Sequence, residues 1–183
     1  MNYGRLAVCI GIWEMPRGFT LLELMITVAV LSIILAFAAP SFSRVSQTVQ
    51  MQRLATELVG FLSQSKSEAV VRNKKLYVHF SMNKGNVVSQ GAWSITLTDA
   101  ESGAGNVILH LSGTQFSELS VLHSYETKKM SFEEVRGRPQ SGSIEFFPTG
   151  EQSTKLKVAL SNPPGRIKVC SMSGAKLYDY LKC

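Results

Sequence analysis

Three hydropathy patterns follow one another along the chain. From Phe19 to Ala39 there are 21 residues with a single charge, Glu23. Beyond Pro40, the residues Met51, Leu54, Leu58, Phe61, Leu62, Ala69 and Val70 recur mostly at helical spacing, with Arg53, Glu57, Lys66 and Glu68 between them. That spacing gathers the apolar side chains on one stripe of a helix. From Lys75 onward apolar and polar positions alternate and glycines punctuate, as in strands joined by turns. One helix from about Phe19 to Arg72, kinked near Pro40, is therefore expected, apolar all round in its first half and amphipathic in its second. The expected strands are Leu76–Phe80, Trp93–Leu97, Val107–Leu111, Ile144–Phe147, Leu156–Leu160, Ile167–Cys170 and Lys176–Tyr178. Residues 116–139 are expected to form a long, mobile loop with a strand inside it. The fold class is α+β, an extended helix whose outer half packs on an antiparallel β domain.

A helix of that first length covers ~31 Å, about one hydrocarbon core. A secretory signal differs in having a shorter apolar core followed by a small-residue exit. Here glycine and arginine precede the apolar run, and it ends at Pro40. Glu23 is the anomaly. A carboxylate at that depth costs roughly 2.5–3.5 kcal/mol on insertion scales, so a partner cation is expected beside it. An anchor that merely happens to hold one acid is the plainer alternative.

Gly18-Phe19-Thr20-Leu21-Leu22-Glu23 resembles the class III signal of type IV pilins and of type II secretion pseudopilins. The resemblance implies a prepilin peptidase/N-methyltransferase that cuts after Gly18 and methylates Phe19. The new ammonium at Phe19 can neutralise Glu23 in the same or a neighbouring subunit, which makes Glu23 the assembly residue. Pro40 falls where many pilins carry a helix-kinking proline. The division implied is a leader over residues 1–18, a membrane or filament-core half-helix over 19–39, an amphipathic half-helix over 40–73 and a periplasmic β domain over 74–183. Met15-Pro16-Arg17-Gly18 alone would make a minimal leader, which offers Met15 as a second start. Cys9 is removed by processing in either case.

Further along, Leu62-Ser63-Gln64-Ser65-Lys66-Ser67-Glu68-Ala69-Val70-Val71-Arg72-Asn73 resembles the helix end of the GspH/FimT group of minor pilins. Phe147-Pro148-Thr149-Gly150 is similar to that group's Phe/Pro/Gly turn. Gly165-Arg166-Ile167-Lys168-Val169-Cys170 is similar to its C-terminal strand, with lysine at the second basic position. The resemblance implies a pilin-like fold, the long kinked helix resting on two antiparallel sheets. It also implies a single pass through the inner membrane, a periplasmic C-terminal domain and incorporation into a pilus or pseudopilus beside other major and minor pilins.

The chain carries 19 Lys and Arg against 13 Asp and Glu, a net of +6. Removing Arg5, Glu14 and Arg17 with the leader leaves +5. The segment from Lys155 holds Lys155, Lys157, Arg166, Lys168, Lys176 and Lys182 against Asp179 alone, so the excess is C-terminal. A basic face on an exported domain suits an anionic partner, nucleic acid or an anionic envelope surface. Cys170 and Cys183 are the cysteines of the mature chain. An oxidising compartment and an even count favour a disulfide, worth ~3 kcal/mol on the chain-entropy view. Metal binding is the rival, and it lacks a nearby histidine or second cysteine pair.

Ser161-Asn162-Pro163-Pro164-Gly165 reads as a hairpin loop. Pairing Leu160 with Gly165 would set Ala159 opposite Arg166, Lys157 opposite Lys168 and Lys155 opposite Cys170. Lys155, Lys157, Arg166 and Lys168 then share the outer face, where stacked like charges have a cost that a bound anion offsets. Such a ribbon, tipped by Gly165, suits phosphates. An exposed strand carrying lysine against edge pairing is the plain reading. The family resemblance adds an association with uptake of double-stranded DNA for natural transformation.

No catalytic role is expected. His79, His110 and His123 sit on separate segments without ligand spacing, Glu133-Glu134 is an adjacent pair, and no nucleophile elbow, phosphate loop or zinc pattern occurs. No cofactor or metal is expected. The leading expectation is a minor type IV pilin, FimT-like, in pilus assembly or a tip complex, with non-specific DNA contact. The alternative is a GspH-like minor pseudopilin, and a monomeric anchored periplasmic binding protein would have no need of Glu23.

Overall fold

The computed structural model describes residues 18–174 and 176–183, and the side chains of residues 37–41 fall outside that description. The leader expected over residues 1–18, with Met15 and Cys9, thus lies outside the described residues up to Arg17. So does the side chain of Pro40, where the kink is expected. The chain divides into two units between Phe42 and Ser43.

In the first unit, helix α1 (Leu21–Val71, 51 residues) begins directly after Thr20. The Thr20 hydroxyl accepts the Glu23 amide at 3.2 Å, and the Thr20 carbonyl accepts the Leu24 amide at 3.1 Å. Thr20 is thus the N-cap and Glu23 the third helical residue, the two positions of a capping box. The Glu23 carboxylate stands at the positive end of the helix dipole. Leu21, Leu22, Met25, Ile26, Ile33 and Leu35 are all more than half exposed, so the apolar surface is uncovered around the helix. Among the described residues no helix is long and apolar enough to cross a membrane. The described side chains of the apolar run stop at Ala36.

In the second unit α1 becomes one-sided. Met51, Leu54, Leu58, Phe61, Leu62 and Ala69 are buried while Arg53 and Gly60 face outward. The helix ends in a Schellman arrangement. Asn73 adopts a left-handed φ of 47°, its amide donates to Val70 O, and the Lys74 amide donates to Ala69 O.

The buried stripe joins one core with two four-stranded antiparallel sheets. The strands are β1 (Leu76–Phe80), β2 (Ser94–Thr98), β3 (Val107–Ser112), β4 (Leu119–His123), β5 (Lys129–Phe132), β6 (Gly142–Pro148), β7 (Leu156–Ser161) and β8 (Arg166–Ser171). One sheet runs β3-β2-β1-β5 and the other β4-β6-β7-β8. In β7 the burial alternates strictly, with Leu156, Val158 and Leu160 inward, which is why its sequence reads with period two.

Two expectations need correction. Residues 116–139 contain two strands, β4 and β5, and these belong to different sheets. Their patterns are weak for physical reasons. β4 places His123 at a core position, and β5 is only four residues long. Lys176–Tyr178 forms no strand. Tyr178 and Asp179 both take positive φ, 47° and 68°, and Leu177 and Tyr180 exchange backbone hydrogen bonds across them. Two left-handed residues in succession make a tight primed turn.

His123 is fully buried and stacks on Phe80 with ring centroids 4.4 Å apart. Its Nε2 donates to the Met82 carbonyl at 3.1 Å, and Nδ1 has no partner among the described residues. Burial pushes its pKa below the ordinary value. The neutral ring is therefore the folded form, and the unfolded chain takes up the proton first as pH falls. Stability should be complete above about pH 6.5 and decline below it, by up to ~1.4 kcal/mol per pH unit. Denaturant midpoints at pH 7 and pH 5 should diverge for the natural protein and converge for His123→Gln. Equal divergence in both proteins would assign the acid sensitivity elsewhere.

Candidate functional site

The β7–β8 hairpin positions the basic residues, and its register differs from the expected one. Ser161 pairs with Arg166, Ala159 with Lys168 and Lys157 with Cys170. The turn closes through the Gly165 amide, which donates to Ser161 O at 2.8 Å with Gly165 at φ 81°. The four-residue loop thus lies one residue later in the chain than expected, with Ser161 in the ladder and Gly165 in the turn. Because the pairing shifts by an even number of residues, face assignment is preserved, and Lys157, Arg166 and Lys168 do stand on the outer face. No cation faces another directly across the β7–β8 ladder, so the like-charge cost expected there does not arise.

Glu145 on β6 changes the electrostatics again. It sits opposite Lys157 in the ladder and approaches Lys155 Nζ at 3.4 Å and Lys157 Nζ at 4.0 Å. Lys155 also lies over the Phe147 ring, 5.2 Å from its centroid. These two lysines are therefore internally compensated. Arg166 and Lys168 are exposed and carry no salt bridge among the described residues.

Two further cations come from distant parts of the chain. Lys66 on α1 donates through Nζ to the Gly165 carbonyl at 3.4 Å. Arg138 packs on the same glycine, where a Cβ would stand 3.2 Å from its Cγ. Arg138 also has Glu133 at 3.6 Å. Gly137, at φ 60°, allows this approach, because a Cβ there would meet Lys66 Cγ at 2.7 Å and Lys66 O at 2.8 Å. The basic surface is thus Arg166 and Lys168, extended around Gly165 by Lys66 and Arg138. Of the expected set, Lys155 and Lys157 belong to the Glu145 network instead. Arg136-Gly137-Arg138 was the one visible hint of the extension, since a glycine between two arginines marks a sharp turn.

Cys170 continues the Arg166 and Lys168 face and is bonded to Cys183, Sγ to Sγ 2.01 Å. The bond holds the C-terminal tail beside β8, where the Ser171 amide donates to Leu181 O and the Cys183 amide to Ser171 O. The three histidines remain apart. His79 Nε2 lies 3.0 Å from the Thr98 hydroxyl, His110 Nδ1 lies 3.0 Å from the Thr96 hydroxyl, and His123 is in the core. Among the described residues no group of three or more His, Cys, Asp or Glu side chains could hold a metal.

At the other end of the chain Gly18 and Phe19 are exposed ahead of the Thr20 cap, with Phe19 77 % accessible. The first surface exposes Arg166 and Lys168, and the second exposes Gly18 and Phe19 ahead of a helix whose apolar side chains are uncovered.

A family model for the prokaryotic N-terminal methylation motif matches residues 15–39, and the model for the type II transport protein GspH matches residues 54–178. Among curated proteins no sequence matches. Two crystal structures of the type IV minor pilin FimU of Pseudomonas aeruginosa (strain PAO1) are similar in fold. Both are 17 % identical and cover 64 % of this chain. One matches over 90 % of its own length with a TM-score of 0.50, the other over 86 % with 0.52. The likeness establishes the pilin-like architecture, a long N-terminal helix on two antiparallel sheets.

Proposed function

Since this chain belongs to the GspH/FimT family of minor pilins and minor pseudopilins, we propose that it is a filament subunit matured at the Gly18–Phe19 bond. The observation that carries this reading is the methylation motif over residues 15–39 standing ahead of a GspH domain over residues 54–178. Prepilin peptidase/N-methyltransferase releases residues 1–18 and methylates Phe19. Residues 19–39 anchor the chain once through the inner membrane and later enter the filament core. Residues 40–73 complete the helix, and residues 74–183 form the periplasmic domain. The exposed apolar surface of α1 supports this, since a helix uncovered all round requires lipid or other helices as its surroundings.

Within that role we assign the subunit to a type IV pilus, where Arg166 and Lys168, with Lys66 and Arg138, contact double-stranded DNA without sequence preference. A GspH-like place in a type II secretion pseudopilus is the second reading, favoured by the family model itself. Mass spectrometry of the protein from a filament fraction tests the shared core of both. The expected chain begins at N-methylated Phe19. An intact leader on the assembled protein would remove the filament role under either reading.

A further inference from the structure

The backbone edge of β8 is open over its central residues. The Lys155 carbonyl accepts the Met172 amide at 3.0 Å, and the pairs Lys157–Cys170, Ala159–Lys168 and Ser161–Arg166 continue that ladder. In an antiparallel pair every second residue bonds the partner strand, so Arg166, Lys168 and Cys170 point their amides and carbonyls at β7. Ile167, Val169 and Ser171 point theirs away. Ser171 is satisfied by the tail, donating to Leu181 O at 2.8 Å and accepting from Cys183 N at 3.0 Å, in parallel pairing. Among the described residues Ile167 and Val169 have no such partner on that side. Beside them a groove of about 400 Å³ is lined by Ala55, Thr56, Val59, Ile167, Val169 and Tyr180, with Lys168 at its margin.

We propose that this edge receives an extended segment of another chain as an added strand, acidic at alternate positions and small and apolar between them. The tail shows that the edge accepts a strand, and it leaves the next stretch vacant. Side-chain alternation then fixes the chemistry of the guest. A guest residue beside Ile167 or Val169 turns into the groove against Ala55 and Val59, where a small apolar side chain fits. A guest residue beside Arg166 or Lys168 turns to the outer face, where two cations lack acidic partners and a carboxylate is favoured. The unpaired amides and carbonyls give affinity, and the charge gives selection. This reading goes beyond DNA contact, which uses the side chains of Arg166 and Lys168 and not the edge.

The full chain in detergent should bind the peptide acetyl-Glu-Val-Glu-Val-Glu-Val-Glu-amide saturably. At saturation the exchange of the Ile167 and Val169 amides should slow at least about tenfold, while Lys168, already bonded to β7, changes little. Replacing every glutamate of the peptide by lysine, or methylating its backbone nitrogens, should weaken binding at least about tenfold. Val169→Pro, which removes one outward amide, should weaken it about fivefold and leave affinity for double-stranded DNA unchanged. Unaltered Ile167 and Val169 exchange at saturation, or equal binding of the lysine peptide, would overturn the proposal. So would protection of both amides without peptide, the sign of a second copy occupying the edge. If Val169→Pro fails to fold, the exchange measurement on the natural protein decides.

Discussion

Glu23→Ala should abolish entry of the subunit into filaments while leaving cleavage at Gly18 intact. The expectation comes from two effects that coincide at one residue. Glu23 is the third residue of α1 behind the Thr20 cap, where a carboxylate favours helix initiation by roughly 0.3–1 kcal/mol. It is also the single charge of a 21-residue apolar run, and an unpaired charge costs up to roughly 2.5–3.5 kcal/mol at the centre of a membrane helix, less toward its end. On the proposed maturation, an ammonium created at Phe19 would offset that cost when supplied by the same or a neighbouring chain. Glu23→Gln removes the charge while keeping the side-chain length and a polar group at the third helical position, so comparison with Glu23→Ala isolates what the charge contributes. If pairing governs assembly, both variants should accumulate as processed, membrane-held subunits missing from sheared filaments. Normal incorporation of Glu23→Gln would reduce Glu23 to a helix-capping residue and end the pairing argument.

What could be read from sequence depended on how local its cause was. Both ends of α1 are set within a few residues, by Thr20 and Glu23 at one end and Asn73 at the other, and the expected bounds fall close to Leu21–Val71. Strands with clean alternation, such as β1 and β7, are equally legible because a two-residue period with one buried face has few other readings. The β7–β8 register was not legible. It depends on the Gly165 amide reaching Ser161 O, a property of turn conformation that composition leaves undetermined. Its parity was still right, so the faces of Arg166 and Lys168 followed correctly. The electrostatic environment is the least local feature. Glu145 compensates Lys155 and Lys157 from the neighbouring strand, and Lys66 and Arg138 reach Gly165 from the helix and from the β5–β6 connection. No periodicity in β7 or β8 encodes such partners.

That redistribution of charge makes the DNA prediction sharper. If the three outer-face lysines and the one arginine acted alike, any two of them would be equivalent. With Glu145 beside Lys155 and Lys157, binding should fall mainly on Arg166 and Lys168. Each phosphate contact releases condensed counterions, so removing two contacts should flatten the slope of log affinity against log salt by about two. Arg166→Gln with Lys168→Gln should therefore weaken binding to double-stranded DNA on the order of tenfold or more at low salt, with a shallower salt dependence. The substitution lies on exposed side chains of a strand whose core contacts are Ile167 and Val169, so unfolding midpoints should hardly move. Arg166→Lys gives the complementary result, a preserved salt slope with weaker binding, because the charge remains while the two-pronged donor geometry is lost. Adding Lys66→Gln to the double variant should flatten the slope further, whereas Arg138→Gln should change it less, because Glu133 compensates that cation. Were the double variant to keep both the affinity and the slope of the natural protein, the basic face of β8 would be no DNA site, and its exposed cations would be left to the strand-binding edge alone.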